Sequence, residues 1–116
     1  MHDAFRWGSR DCATLAADHV LAITGRDPMA DLRGLYASPR AAARVLERFG
    51  GLVGAVDALI GWPRVEAVRA EVAALPTDRR PVLAVRSGEW WVFPSPQGES
   101  VARISMVRPL ACWGPA

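Results

Sequence analysis

Lysine is absent from this chain of 116 residues, and all fourteen basic residues are arginine. They are scattered from Arg6 to Arg108, and the formal charge is only +2. A nucleic-acid-binding domain more often clusters its basic residues, so no nucleic-acid partner is expected. The two histidines are His2 and His19, and the two cysteines are Cys12 and Cys112. With no CxxC and no HExxH, few ligands remain for a zinc site, and neither a metal nor another cofactor is expected. No apolar run approaches the ~18 residues of a membrane span. The opening Met1-His2-Asp3-Ala4 lacks a basic region followed by an apolar one. The reading is therefore a product made in a cytoplasm, with two free thiols rather than a disulfide.

What is present is a hydrophobic content of 51%, enough for a single core and too much for disorder. The first half has helical patterning. Ser9 reads as the N-cap of a first helix, with Arg10 to Cys12 in its first turn and Gly25 at its stop. Leu15, His19, Ala22 and Ile23 follow Cys12 on one face, with Asp18 turned elsewhere. Asp27-Pro28 opens a short second helix that ends at Gly34. Ser38-Pro39 opens another, over 39–49, and a further helix covers 52–60. Val65, Val68, Val72 and Leu75 extend the helical pattern to Pro76.

Beyond Pro76 the period changes. Residues 82–86 and 89–93 read as strands joined at Ser87-Gly88, 94–98 as a loop and 101–107 as a third strand. Residues 110–113 add a short edge strand. Helices followed by strands predict an α+β domain, with the N-terminal helices packed on a small C-terminal antiparallel sheet. One domain spans 1–116, its helical part about 9–75 and its strand part about 81–113.

Cys12 is the residue with the clearest chemical potential. A thiol in the first turn of a helix meets unsatisfied N–H groups and the positive end of the helix dipole, both of which favour thiolate. A cysteine nucleophile also needs a base within about 3 Å, usually an imidazole. His19 is seven residues along the same helix, roughly 10 Å away at 1.5 Å per residue. His2 reaches Cys12 only by folding back. The first-turn Asp11 reads as a helix-dipole partner, and Arg33 as a bridge to Asp18 or Asp31.

Phe5-Arg6-Trp7-Gly8 followed by Asp11-Cys12 resembles the start of the catalytic helix in NlpC-type cell-wall peptidases, small papain-like enzymes. The ordered series is more similar still to a small family encoded among phage and prophage tail genes. It runs through Asp18, Thr24-Gly25-Arg26-Asp27-Pro28, Arg33-Gly34-Leu35-Tyr36, an alanine- and arginine-rich helix ending in Gly50-Gly51, and Trp113. The resemblance covers residues 5–61 and the C-terminal tryptophan. It implies a reduced papain-like (NlpC-like) fold and a place at the tail tip or in tail assembly. The partners would be other phage tail proteins, and the location the virion tail after synthesis in the bacterial host cytoplasm. The chain departs from the peptidase pattern where the catalytic histidine would stand, since no histidine follows His19. The expected function is therefore a docking module on an inactive cysteine-hydrolase scaffold. The alternative is an active peptidase or amidase that cuts peptidoglycan stem peptides, with Cys12 as its catalytic residue.

Trp90 and Trp91 are the candidate protein interface. Adjacent residues of a strand point to opposite faces, so one enters the core and the other faces outward. Exposed aromatics favour partner contacts.

Overall fold

In the computed structural model, residues 11–115 are described. Three helices, α1 (Cys12–Thr24), α2 (Pro39–Glu47) and α3 (Leu52–Ile60), precede five strands. The strands are β1 (Val72–Leu75), β2 (Val82–Ser87), β3 (Trp90–Ser95), β4 (Gly98–Arg103) and β5 (Ala111–Trp113). Single 3₁₀ turns lie at Ala67–Arg69 and Ile104–Met106. The architecture is α+β, as expected. Every strand pair is antiparallel, and the order is β4-β3-β2-β1-β5.

α1 is capped two residues later than the sequence suggested. Ser9 lies outside the described residues, and Asp11 is the N-cap. Its Oδ1 accepts the Thr14 N–H at 2.8 Å, while Thr14 Oγ1 accepts the Asp11 N–H at 2.9 Å. This reciprocal box satisfies two orphan donors at once, and it makes Cys12 the first helical residue.

The short helix expected between Asp27 and Gly34 is a series of turns. Asp27 Oδ1 captures the Met29 N–H at 3.0 Å, and the Leu32 and Arg33 N–H groups both donate to the Met29 carbonyl. Side-chain capture and shared acceptors leave no regular ladder.

The helix expected over 65–75 is a correction of another kind. Val65 is extended, with its N–H donating to the Cys112 carbonyl at 3.0 Å; one 3₁₀ turn follows, and then β1. Val68, which the helical reading needed inside, is 75% exposed. β1 is hydrogen-bonded on both edges and buried on both faces. Such a strand is a continuous apolar run, and short runs of that kind carry no period to separate strand from helix.

The β2–β3 loop is Gly88-Glu89, flanked by the Ser87↔Trp90 pair, and Gly88 supplies the positive φ of 60° that the turn requires. The loop expected over 94–98 shrinks to Pro96-Gln97, because Pro94 and Ser95 pair with Glu99 and Gly98. β4 accordingly starts and ends early, and residues 104–106 form a turn rather than strand.

The sheet is covered on both faces. Val72, Ala74, Leu83, Val85 and Trp113 pack beneath Ala16 and Val20 of α1 and Val56 of α3. On the opposite face Ala73, Leu75, Ala84, Trp91 and Cys112 are covered by Val65, Ala67, Ala70, Ile104 and Val107, from the irregular segments. A third cluster joins Ala17 of α1 to Met29, Tyr36 and Ala42. The expected inward face of α1 is only partly right. Cys12 and Leu15 pack against the sheet, but Ile23 is 44% exposed. The buried stripe runs through the small residues Ala16, Ala17 and Val20, which let the helix approach sheet and α2 together.

Candidate functional site

Cys12 lies at the wall of an apolar cavity of about 100 Å³. The cavity is lined by the start of α1, the turns after Asp27, α2, α3 and Leu83 of β2. Two polar side chains stand beside the thiol, Asp11 and Tyr36, each only 3–6% exposed. The Tyr36 hydroxyl faces the Asp11 carboxylate. Burial and that negative charge push the phenol far above its ordinary range. It stays protonated and serves as a donor.

The thiol does not carry the activation expected of a helix N-terminus. Burial pushes it up to about 11, and the Asp11 carboxylate adds to the rise. The N–H groups of Leu83 and of the first helical turn offset this only partly. Desolvation and a neighbouring anion outweigh the dipole. The strand register explains how the Leu83 N–H comes to face the thiol. The β2–β3 ladder stops at Val85↔Val92, so Leu83 lies outside it.

His19 is engaged elsewhere. Its Nε2 lies 3.0 Å from Glu71 Oε1, and Glu71 Oε2 is 3.9 Å from Arg86 Nε. No other imidazole occurs among the described residues, and His2 lies outside them. Among the described residues no group of three or more His, Cys, Asp or Glu side chains could hold a metal ion. No helix among them is long and apolar enough to cross a membrane.

The Arg33 bridge forms with Asp18, Nη2 to Oδ1 at 2.7 Å, but its second partner is Asp27 rather than Asp31, Nε to Oδ2 at 2.8 Å. Arg33 holds the Asp27 carboxyl below its usual range. The pair ties α1 to the turn segment beside the cavity. Of the two adjacent tryptophans, Trp91 is fully buried and Trp90 is 38% exposed, so the surface candidate narrows to Trp90. Arg103 lies over the Trp90 ring, 4.5 Å from its centroid.

Three other arrangements carry no signal in the sequence because their partners lie far apart. Trp113 Nε1 donates to Asp57 Oδ1 at 2.8 Å, and Arg64 donates to both Asp57 oxygens. Arg86 donates to the carbonyls of Ala67, Ala70 and Gly88. The Cys112 thiol donates to the Val65 carbonyl at 3.0 Å. The Asp11–Thr14 box was missed as well, with Ser9 read as the cap, although its two members stand only three residues apart and so carry a local signal.

The chain matches no curated protein and no solved structure in these comparisons. A family model matches residues 1–114, so the chain belongs to the family described as a domain of unknown function, DUF6950.

Proposed function

We propose that this chain is a phage or prophage tail component, acting at the tail tip or in tail assembly. In this reading it is a reduced papain-like, NlpC-type scaffold that docks rather than turns over. The observation that carries the proposal is the state of Cys12. The thiol sits at a helix start, as a nucleophile would, yet burial and Asp11 hold it near 11. The one described imidazole is bonded to Glu71. The other residues of the resemblance are engaged in scaffolding, with Asp11 capping α1 and facing Tyr36, and Arg33 joining Asp18 to Asp27. The docking surface in this reading is the exposed Trp90 with Arg103 stacked on it.

The test is deletion of the gene in a prophage that carries it, followed by complementation. Deletion should stop the formation of infectious tails. A Cys12→Ser copy should restore them fully, and purified protein should release no muropeptides from peptidoglycan. Normal tails after deletion would overturn the assembly role. Muropeptide release that Cys12→Ser abolishes would replace docking with peptidoglycan hydrolysis.

A further inference from the structure

The cavity beside Cys12 is larger than close packing leaves by itself. Protein cores hold few voids bigger than a water molecule, and this one measures about 100 Å³. Its wall is of two kinds. Val56 and Leu83 belong to the core cluster on the sheet, and Ala42 to the cluster that joins α1 and α2. Leu46, Phe49 and Leu59 also line the cavity, yet they belong to none of the three core clusters and are only half-buried. Leu46 stands in the last turn of α2, Phe49 just beyond it, and Leu59 in the last turn of α3. Large apolar side chains that line a void without packing into the core forgo much of their dispersion energy, so they do little for the fold. They make the way in between α2 and α3 apolar.

The polar side chains of the described wall are Asp11, Cys12 and Tyr36, and each is already engaged by the protein. Asp11 accepts the Thr14 N–H and faces the Tyr36 hydroxyl, and the Leu83 N–H faces the Cys12 sulfur. The wall therefore offers space and apolar contact but no donor or acceptor set aside for a ligand. A peptide drawn into it would bury main-chain groups without partners, at a cost for each. A hydrocarbon chain has no such groups. An apolar cavity of ~150 Å³ holds benzene or xenon, so a volume of about 100 Å³ suits a short run of methylene groups.

We infer that the cavity is a binding site for the hydrocarbon chain of an aliphatic ligand, which enters between α2 and α3 with its polar end left at the mouth. The inference is independent of the tail reading, because it rests on the volume and the lining of the cavity alone.

Titration of the full chain with straight-chain primary alcohols from butanol to octanol, followed by NMR, tests it. Each added methylene should tighten binding by about fourfold until the cavity is filled, and then the gain should stop. The shifts should concentrate at lining residues such as Ala42, Val56 and Leu83. A hexanediol with a hydroxyl at each end must bury one of them unpaired, and should bind about tenfold more weakly than hexanol. N-acetyl-leucinamide, which carries an apolar side chain on a peptide unit, should not bind. Ala42→Leu and Ala55→Leu each push a larger side chain into the cavity, and either should abolish binding. Leu46→Asn leaves the three core clusters intact, so circular dichroism should be unchanged while hexanol binds about tenfold more weakly. A wild-type chain that binds none of the alcohols overturns the inference. So do a diol or a leucinamide that binds as tightly as hexanol, and folded variants that bind as wild type does.

Discussion

Each face of the sheet buries one tryptophan completely, and the two are held in different ways. Trp113 lies under α1 and α3, and its indole N–H donates to Asp57 of α3. Trp91 lies under the irregular segments, and its Nε1 has no hydrogen-bond partner among the described residues. Helices satisfy their own main-chain groups, so the helical face needs only apolar side chains and one polar tie. Irregular chain brings carbonyls that require donors. On that face Arg86 supplies them to Ala67 and Ala70 while its guanidinium stacks 5.4 Å from the Trp91 centroid, and the Cys112 thiol supplies Val65. One side is held by shape, the other by a single arginine that replaces a missing ladder.

The largest expected effects remove the rings altogether. Trp91→Ala and Trp113→Ala should each cost ~3–5 kcal/mol in urea unfolding, through lost transfer energy and the cavity left behind. Arg86→Met keeps an apolar stem but orphans the carbonyls, and should cost ~1.5–3 kcal/mol. Loss below about 0.5 kcal/mol would mean that the irregular face holds itself.

The sharper comparison is Trp→Phe at both positions. The smaller ring opens a similar void in each, so the difference isolates the indole N–H. Trp113→Phe strips a donor from Asp57, whereas Trp91→Phe removes a donor that has no acceptor among the described residues. Trp113→Phe should therefore cost ~1–2 kcal/mol more. Equal losses would erase the distinction between the faces.

Each face also carries its own thiol. A shift from 9.0 to about 11 leaves Cys12 about a hundredfold less thiolate at neutral pH than a free cysteine, and its alkylation should slow accordingly. Burial also raises the Cys112 thiol and the Arg86 charge partly offsets it, so Arg86→Met should slow alkylation of Cys112 further and leave that of Cys12 unchanged. Because the folded value of Cys12 is raised, its neutral form favours folding fully below the unfolded value near 9. That contribution is lost as pH rises through about 11.

The smallest effect belongs to Asp57. Its carboxyl is held down by Arg64 first and Trp113 second, so it stabilises above its unfolded value and is lost as pH falls through the lower folded value. The group is 40% exposed, so the acid-side change from Asp57→Asn should stay below about 1 kcal/mol.

Local chemistry was readable in the sequence and contacts at long range were not. Ser38-Pro39 announces α2, and Gly88 the hairpin, because the signal and its effect lie within four residues. Alternation separated Trp91 from Trp90 for the same reason. Residues 65–75 defeated the pattern because β1 takes its identity from β2 and β5, which follow it. The Cys12 site was half legible. Its position at a helix start follows from local signals, but its protonation is set by burial under Leu83 and by Asp11, whose inward position depends on Tyr36 and the cavity wall. Arg33 was assigned correctly to Asp18, but not to Asp27, which the Asx turn brings round.

The sheet order also sets a timetable for assembly. β2, β3 and β4 are joined by loops of two residues, Gly88-Glu89 and Pro96-Gln97, and can zip with little loop-closure entropy. β1 receives its second neighbour only from β5, and the Asp57–Trp113 tie spans 56 residues. The hairpins can therefore form on the microsecond scale of local structure, while docking of the helices and closure by β5 come last. Until that closure, β1 presents an open edge and Trp113 has no cover. The interval before β5 docks is when the folding chain is most exposed to strand exchange with other molecules.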